Sequence, residues 1–261
     1  MDIDGRKHNP EDLRRIKLVR LIDNDFSSLF FDGFKEGVEL LLKVILNKDV
    51  KVIDSRTQKE LKNIEGRSVC FDIYAIDDSG NKHDVEIQRD DRGANPKRAR
   101  YHSSVVDADM LRAGEDFTDI HENFVIFITE NDVIGMNLPI YHIDSVIRET
   151  KMKFDDGRHI IYVNGAIRTK ETALGRLMHD FFCTEAKDMY YKVLSERVKQ
   201  FKETEKGVAK MCEIWDEVRN EKACEIAKAM IKDGKLTYED IASYSGLSID
   251  KVRELAGNKS A

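Results

Sequence analysis

Residues 69–88 alternate between apolar and polar positions on both sides of a short polar segment, which predicts two antiparallel strands joined as a hairpin. Because successive strand residues point to opposite faces, Asp72 lies on the polar face of the first strand. On the second strand Val85 and Ile87 share the apolar face, and Glu86 and Gln88 share the polar one. Residues 77–81, D-D-S-G-N, predict the turn.

The length of that turn sets which polar residues face each other across the hairpin. If residues 77–81 form the loop, Ile76 pairs with Lys82 and Asp72 faces Glu86, whereas a four-residue loop moves Asp72 off that face. Facing carboxylates repel each other, and a divalent cation between them removes the repulsion. The alternative is an ordinary antiparallel hairpin with one solvent-exposed polar face.

The remaining periodicity predicts an α/β protein. Helical spacing over 35–47 predicts a helix with Glu39 beside its apolar stripe, and Pro96 suits the first turn of a second helix. The near-continuous apolar run 123–129 predicts a buried central strand. The other predicted segments are a helix at 11–22, an irregular aromatic-rich stretch at 23–34, and strands at 50–54 and 159–163. The order from residue 35 to 129 is helix, strand, strand, strand, helix, strand.

The chain becomes helical from about residue 172, with segments at 188–201 and 205–232. In the tail, Ala242, Gly246 and Ser248 fit the close-packing, turn and N-cap positions of a helix-turn-helix. This pattern predicts a core with an N-terminal lead at 1–170, a helical extension at 171–233 and a helix-turn-helix-like tail at 234–261. The tail either binds DNA or serves as a compact or oligomerising helical element.

Composition limits the protein class. The chain has 261 residues, 41% hydrophobic and 35% charged, and a net charge of −6, so bulk positive charge does not hold it on nucleic acid. No apolar run is long enough for a membrane span, and no secretion signal begins the sequence. Four cysteines without C-x-x-C spacing predict a reduced cytoplasmic location and no zinc cluster.

A local basic stretch follows the second strand. It comprises Arg89, Arg92, Lys97, Arg98 and Arg100, interrupted by two aspartates and followed by Tyr101. Its position beside the carboxylates favours phosphate contacts, with a solvated surface as the alternative. The seven histidines lack metal-ligand spacing, and no nucleophile elbow or glycine-rich phosphate loop occurs in the sequence.

Several blocks, in order, resemble the PD-(D/E)XK nuclease superfamily and, more narrowly, the PD-(D/E)XK nuclease family transposases, which belong with the recombination-promoting nucleases. The blocks are E-L-K-N-I-E-G-R-S-V-C-F-D-I-Y-A, V-E-I-Q-R, P-K-R-A-R-Y-H-S-S, F-V-I-F-I-T-E-N-D-V, L-P-I-Y-H-I-D and I-Y-V-N-G-A. The resemblance covers about residues 20 to 215. It implies a restriction-endonuclease-like αβββαβ core, with a mixed central sheet flanked by helices and a helical C-terminal region.

The resemblance also implies roles for individual residues. Asp72, Glu86 and the backbone carbonyl of Ile87 would bind Mg²⁺ or Mn²⁺ for phosphodiester hydrolysis. The acid of the first helix maps to Glu39, with Glu36 as a second candidate. From their position beside these acids, and not from the resemblance, the predicted DNA contacts are Arg89, Lys97, Arg98, Arg100 and Tyr101. The alternatives are a surface role for Arg98 and Arg100 and a packing role for Tyr101. Gln88 stands where most of the superfamily has lysine; its amide can orient a water but supplies no charge.

The leading functional hypothesis is therefore a metal-dependent DNA endonuclease of mobile-element or recombination-promoting type. The alternative is a DNA-binding or assembly protein that retains the fold with weak or no catalysis. A carboxylate-based hydrolase of another kind is a third reading, disfavoured by the adjacent basic stretch. The predicted partners are DNA and a second copy of the chain joined through the helical C-terminal region, with no membrane.

Overall fold

The computed structural model of the protein describes residues 2–3, 6–7, 9–62 and 66–257. Residues 63–65, part of the first block quoted above, lie outside the described residues. The described chain divides into two compact units, residues 18–199 and residues 1–17 with 200–261. The three-part division derived from the sequence stays a prediction.

A six-stranded mixed sheet forms the centre of the unit 18–199. Its strand order is β3-β4-β5-β6-β8-β7, with β5, β6 and β8 parallel and the other neighbours antiparallel. The strands of the described chain are β1 (Asp2–Ile3), β2 (Arg6–Lys7), β3 (Val52–Leu61), β4 (Val69–Asp77), β5 (Lys82–Gln88), β6 (Asn123–Thr129), β7 (Ile140–Ile143) and β8 (Arg158–Asn164). The short strands β1 and β2 pair only with each other.

Helices make up most of the rest of the described chain. They are α1 (Pro10–Leu18), α2 (Asn24–Phe31), α3 (Lys35–Leu46), α4 (Pro96–Met110), α5 (Ala173–Phe182), α6 (Lys192–Glu203), α7 (Glu205–Asp233), α8 (Tyr238–Ser245) and α9 (Ile249–Leu255). The order α3-β3-β4-β5-α4-β6 confirms the αβββαβ prediction. None of the helices in the described part of the chain is long and apolar enough to cross a membrane.

Local pattern gave several element bounds correctly and others wrongly. The predicted central strand at 123–129 is β6, every residue of which is buried. The aromatic-rich stretch expected to be irregular contains helix α2, whose Phe26, Phe30 and Phe31 are buried in the core. Strand β3 continues to Leu61 because it pairs along nearly the whole of β4. Edge strand β7 was not predicted.

The hairpin register agrees with the five-residue loop. Ile76 pairs with Lys82, and the ladder continues to Ile73 opposite Val85. The alternative of a hairpin with a solvent-exposed polar face is wrong, because Asp72, Asp84 and Glu86 are buried and helix α4 packs on that side. His102 and Val106 of that helix are buried: His102 Nδ1 lies 2.8 Å from Asp84 Oδ2, and Val106 packs with Tyr74, the partner of Asp84 across the hairpin.

The tail has the helical turn that its sequence predicts. Gly246 has φ +73°, the left-handed conformation that glycine adopts at low cost after a helix, and it separates α8 from α9. The Ser248 hydroxyl accepts a hydrogen bond from the Lys251 amide, as an N-cap should. Ile241 and Val252 are buried against Ala227 of α7 in one small core.

Candidate active site

Asp72 and Glu86, the two carboxylates predicted to face each other, lie where strands β4 and β5 separate. Past Val85, side chains replace the regular ladder. The Asp72 amide donates to Glu86 Oε1 at 3.2 Å, and the Ile87 amide donates to Asp72 Oδ2 at 2.9 Å. Each carboxylate therefore accepts a backbone hydrogen bond from the opposite strand, which fixes both side chains face to face.

A third carboxylate, Asp84, lies on the same face of β5. Glu86 and Asp84 are fully buried, and Asp72 is 7% exposed. Burial, together with repulsion from Asp84 and Asp72, raises the pKa of Glu86 to about 9. Burial also raises the pKa values of Asp72 and Asp84. Three acids thus occupy a space that disfavours their charged forms.

One cation reaches this group. The Arg98 guanidinium of α4 donates through Nη2 to Glu86 Oε2 at 2.5 Å and through Nε to His102 Nε2 at 3.1 Å. The other ring nitrogen of His102, Nδ1, lies 2.8 Å from Asp84 Oδ2. Asp84 and His102 were not predicted as site residues. Two signals in the sequence could have indicated them. Asp84 lies two residues before Glu86 and so shares its face of the strand, and His102 lies four residues after Arg98 and so shares its face of the helix.

Gln88 completes the polar cluster. Its amide Nε2 lies 3.4 Å from Asp72 Oδ2 and 3.3 Å from Glu86 Oε2. Gly93, in a short 3₁₀ turn at Asp91–Ala94, leaves room for this side chain, since a Cβ there would lie 2.1 Å from Gln88 Oε1. The amide is therefore positioned against both carboxylates by the following loop.

Gln58 of β3 was also missed by the sequence pattern. Its Nε2 lies 3.4 Å from Asp72 Oδ1 and donates to the Ser28 hydroxyl of α2 at 2.9 Å. Its backbone has φ +51°, a left-handed conformation that costs free energy for a residue other than glycine. Nothing in the alternation of β3 indicates a local reversal of this kind, so only the tertiary structure reveals the contact.

The backbone of Ile87 faces the carboxylates. The Gln88 carbonyl points toward β6, and its oxygen accepts a hydrogen bond from the Glu130 amide at 3.1 Å. The neighbouring Ile87 amide points the other way, to Asp72. Because amide and carbonyl of one strand residue point to the same side, the Ile87 carbonyl also faces the Asp72 side. Its role as a metal ligand stays a prediction, and this is the orientation which that role requires.

The donor set fits a divalent cation. Carboxylate and carbonyl oxygens are the ligands that Mg²⁺ and Mn²⁺ prefer, and Asp84 Oδ1 is buried without a hydrogen-bond partner. Ligand atoms of Asp84, Glu86 and His102 also lie within 4.8 Å of one another. Since His102 Nε2 accepts from Arg98, its Nδ1 carries the proton toward Asp84 and is not free for a metal. Asp72 and Glu86 are the better ligands.

Glu39 does not join this cluster. Its Oε1 accepts a hydrogen bond from the Val52 amide at 2.8 Å, and Val52 pairs with Asp77 at the turn end of β4. At about 3.3 Å per strand residue, Asp77 lies roughly 16 Å along the strand from Asp72. The Glu39 side chain therefore links α3 to β3 by a hydrogen bond. Glu36, the second candidate, is exposed on α3.

The predicted DNA-contacting residues are divided between three environments. Arg89 forms ion pairs with Asp23 and Glu130 at 2.9 and 3.0 Å, and Arg98 is held by Glu86. The Tyr101 hydroxyl donates to the Arg67 carbonyl at 2.6 Å, which favours the packing interpretation. Lys97 and Arg100 are exposed, and neither forms an ion pair with a described residue. Among the predicted DNA contacts, these two are therefore the cations that no described carboxylate engages.

Fold and site together define a PD-(D/E)XK-type nuclease domain: a mixed sheet whose central hairpin carries Asp72 and E-x-Q. The chain belongs to the PD-(D/E)XK nuclease family transposases, whose family model matches residues 38–235. Neither the curated proteins nor the solved structures gave a match. Membership supports a nuclease acting on DNA, and nucleases of this kind generally use divalent metal ions.

The Gly93 contact predicts a way to displace Gln88 without altering it. In Gly93→Ala the added methyl group would occupy the position of Gln88 Oε1, so the amide must turn away from the carboxylates. We expect single-turnover DNA cleavage to fall about 10-fold to 100-fold, as when a supporting contact of a metal site is lost. Metal affinity, measured by calorimetry, should change little.

The matching control is the same change in a Gln88→Ala background. If Gly93→Ala acts through Gln88, it should have almost no further effect there. An equal loss in both backgrounds would show that the loop, and not the amide, is responsible.

Proposed function

We propose that this protein is a metal-dependent DNA endonuclease of the recombination-promoting, mobile-element type, with Mg²⁺ or Mn²⁺ as its cofactor. The observation that carries the proposal is the buried pair of facing carboxylates, Asp72 and Glu86, each fixed by a backbone amide of the opposite strand. Buried like charges are costly unless something compensates them, and a divalent ion does so.

The residues of the chain have separable tasks in this proposal. Asp72, Glu86 and the Ile87 carbonyl would hold the ion. When bound, the ion lowers the pKa of a water and offsets charge on the phosphate oxygens. The Gln88 Nε2 is directed at both carboxylates, so the amide lies beside the ion's proposed position and would help to orient the attacking water.

Lys97 and Arg100 are proposed to bind the DNA backbone, because both are exposed near the N-terminal end of α4 and are not paired with described carboxylates. Each phosphate contact makes log Kd depend on log salt concentration by nearly one unit. We therefore expect Arg100→Ala to reduce that slope by about one.

Arg92→Ala is the control for this salt dependence. Arg92 is also exposed but is engaged by Asp90 at 2.8 Å, so its removal should alter the slope much less. The measurement is fluorescence anisotropy with a labelled duplex in Ca²⁺. Equal slopes for wild type and Arg100→Ala would mean that this face of α4 is a solvated surface that does not bind phosphates.

Cleavage of supercoiled plasmid tests the proposed function directly. Wild-type protein should nick or linearise the plasmid with Mg²⁺ or Mn²⁺ and leave it intact with EDTA. Absence of cleavage with every divalent ion, in protein that still binds DNA, would contradict the proposal.

That outcome would support the alternative, a DNA-binding or assembly protein that keeps the nuclease fold. Two observations favour this second candidate: Gln88 supplies no charge, and Arg98 already occupies an oxygen of Glu86 that a metal would share. Association through the helical C-terminal region, DNA binding by the tail and a cytoplasmic location stay predictions.

A further inference from the structure

The site contains a positive charge that the E-x-Q motif does not supply. Gln88 Nε2 lies 3.3 Å from Glu86 Oε2, and Arg98 Nη2 lies 2.5 Å from the same oxygen. The guanidinium of α4 and the amide of β5 therefore meet at one carboxylate oxygen. We propose that Arg98 supplies the positive charge that Gln88 lacks, and that Asp84 and His102 are positioning residues for it. This inference rests on the proposed nuclease function.

The guanidinium is held on three sides. Nη2 donates to Glu86, Nε donates to His102 Nε2 at 3.1 Å, and Nη1 donates to the Gly93 carbonyl at 3.0 Å. The Arg98 side chain is nevertheless 36% exposed, so the group is fixed but still reachable by a phosphate. A preorganised cation of this kind needs no reorientation when charge develops on the phosphate oxygens.

His102 is oriented in turn by Asp84. Because His102 Nε2 accepts from Arg98, the ring carries its proton on Nδ1 and donates it to Asp84 Oδ2 at 2.8 Å. Asp84 is fully buried and His102 is 3% exposed, so solvent does not compete for this hydrogen bond. The chain Asp84–His102–Arg98 thus runs from a fully buried carboxylate to a partly exposed guanidinium.

Arginine suits this position better than lysine would. Glu86 contacts the group, and Asp72 and Asp84 interact with it electrostatically at longer range, so the charge of an amine there would be sensitive to its environment. A guanidinium stays charged and offers five donors in a fixed plane, which matches three protein acceptors and leaves donors for a phosphate. Lys97 and Arg100, on the same helix, are not held in this way by any described residue.

The decisive experiment relocates the charge. We expect Arg98→Ala to lower the single-turnover cleavage rate by about 10²-fold, the cost of losing one charge-stabilising contact. Adding Gln88→Lys to Arg98→Ala should restore at least about tenfold, because the lysine returns a cation to the same carboxylate from β5. Arg112→Ala, an exposed arginine beyond α4, is the control and should cut at the wild-type rate.

A readout independent of cleavage accompanies these rates. DNA affinity measured with Ca²⁺ should change by less than about threefold in Arg98→Ala, because the charge acts mainly as the transition state forms. Thermal melting of each variant checks that the fold is retained. A loss of DNA affinity as large as the loss of rate would make Arg98 an ordinary phosphate contact and overturn the inference.

The positioning role is tested by a double-mutant cycle. His102→Ala should slow cleavage in the wild-type background and cost almost nothing in Arg98→Ala, whereas a purely structural role would cost the same in both. Wild-type rates in Arg98→Ala, or failure of Gln88→Lys to rescue it, would overturn the inference alone. No cleavage by the wild type would overturn the proposed function and the inference with it.

Discussion

Replacing Asp72 with asparagine is expected to abolish DNA cleavage while the hairpin keeps its shape. The asparagine oxygen can still accept from the Ile87 amide, so the local hydrogen bond survives. The charge that would hold the divalent ion is lost, together with the ion's effects on water and phosphate. The cleavage rate of supercoiled plasmid should fall by more than about 10²-fold.

The same variant should also lose its response to metal. Mn²⁺ at 100 times its dissociation constant stabilises a protein by about 2.7 kcal/mol, which a thermal-shift titration detects. We expect that shift in the wild type and not in Asp72→Asn. Asp78→Asn, an exposed aspartate in the turn of the same hairpin, should behave as the wild type in both assays. Wild-type cleavage by Asp72→Asn would place the metal centre elsewhere.

Replacing Glu86 with glutamine should change how the stability of the metal-free protein depends on pH. Burial, with repulsion from Asp84 and Asp72, raises the pKa of Glu86 to about 9, above the value of about 4.3 for an unfolded chain. The native state therefore binds this proton more tightly than the unfolded state does. The free energy of unfolding should fall as pH rises from about 5 to about 9, by at most about 1.4 kcal/mol per pH unit for one group.

Glu86→Gln cannot titrate, so its stability should fall less steeply over that range. Urea unfolding with EDTA, at about pH 5.5, 7 and 8.5, measures the slope. Some slope should remain, because the pKa values of Asp72 and Asp84 are raised as well. In Glu60→Gln, an exposed residue of β3, the wild-type slope should persist. Identical slopes in Glu86→Gln and wild type would mean that Glu86 is ionised throughout.

Metal should oppose this loss of stability. Ions bind ionised carboxylates, so Mn²⁺ should stabilise the wild-type protein more at about pH 8.5 than at about pH 6. With EDTA the free energy of unfolding should fall as pH rises, whereas the stabilisation by Mn²⁺ should increase. The same protein therefore gives opposite signs in the two measurements.

Local sequence determined the hairpin and its neighbours. Of the two turn lengths that the sequence allowed, the structure has the five-residue turn, and a shift of one residue would have moved Asp72 off the face of Glu86. With that turn, strand alternation by itself directs Val85 and Ile87 to the core and Asp72 toward Glu86. The motif blocks then gave the family, which the match over residues 38–235 confirms.

Other features depended on how distant elements pack. Helix α4 buries the polar face of the hairpin, which no property of the strands themselves indicates, and this burial raises the carboxyl pKa values. The same packing takes Arg98 from a basic stretch of sequence into an ion pair with Glu86. Arginine and lysine side chains are long, so the packing of distant elements determines which carboxylate they contact.

Glu39 and Gln58 also show that tertiary packing, and not residue type, decides which side chains reach the carboxylates. Glu39 has the residue type and helix position of a site acid, yet it accepts from the amide of Val52. Val52 belongs to β3 and pairs with Asp77, at the end of β4 away from Asp72. Gln58 has no motif, yet a left-handed backbone and the contact with Ser28 bring its amide to Asp72. The sequence by itself determined which strand residues face each other, because strand periodicity is local; which helix residues reach them was decided only by tertiary packing.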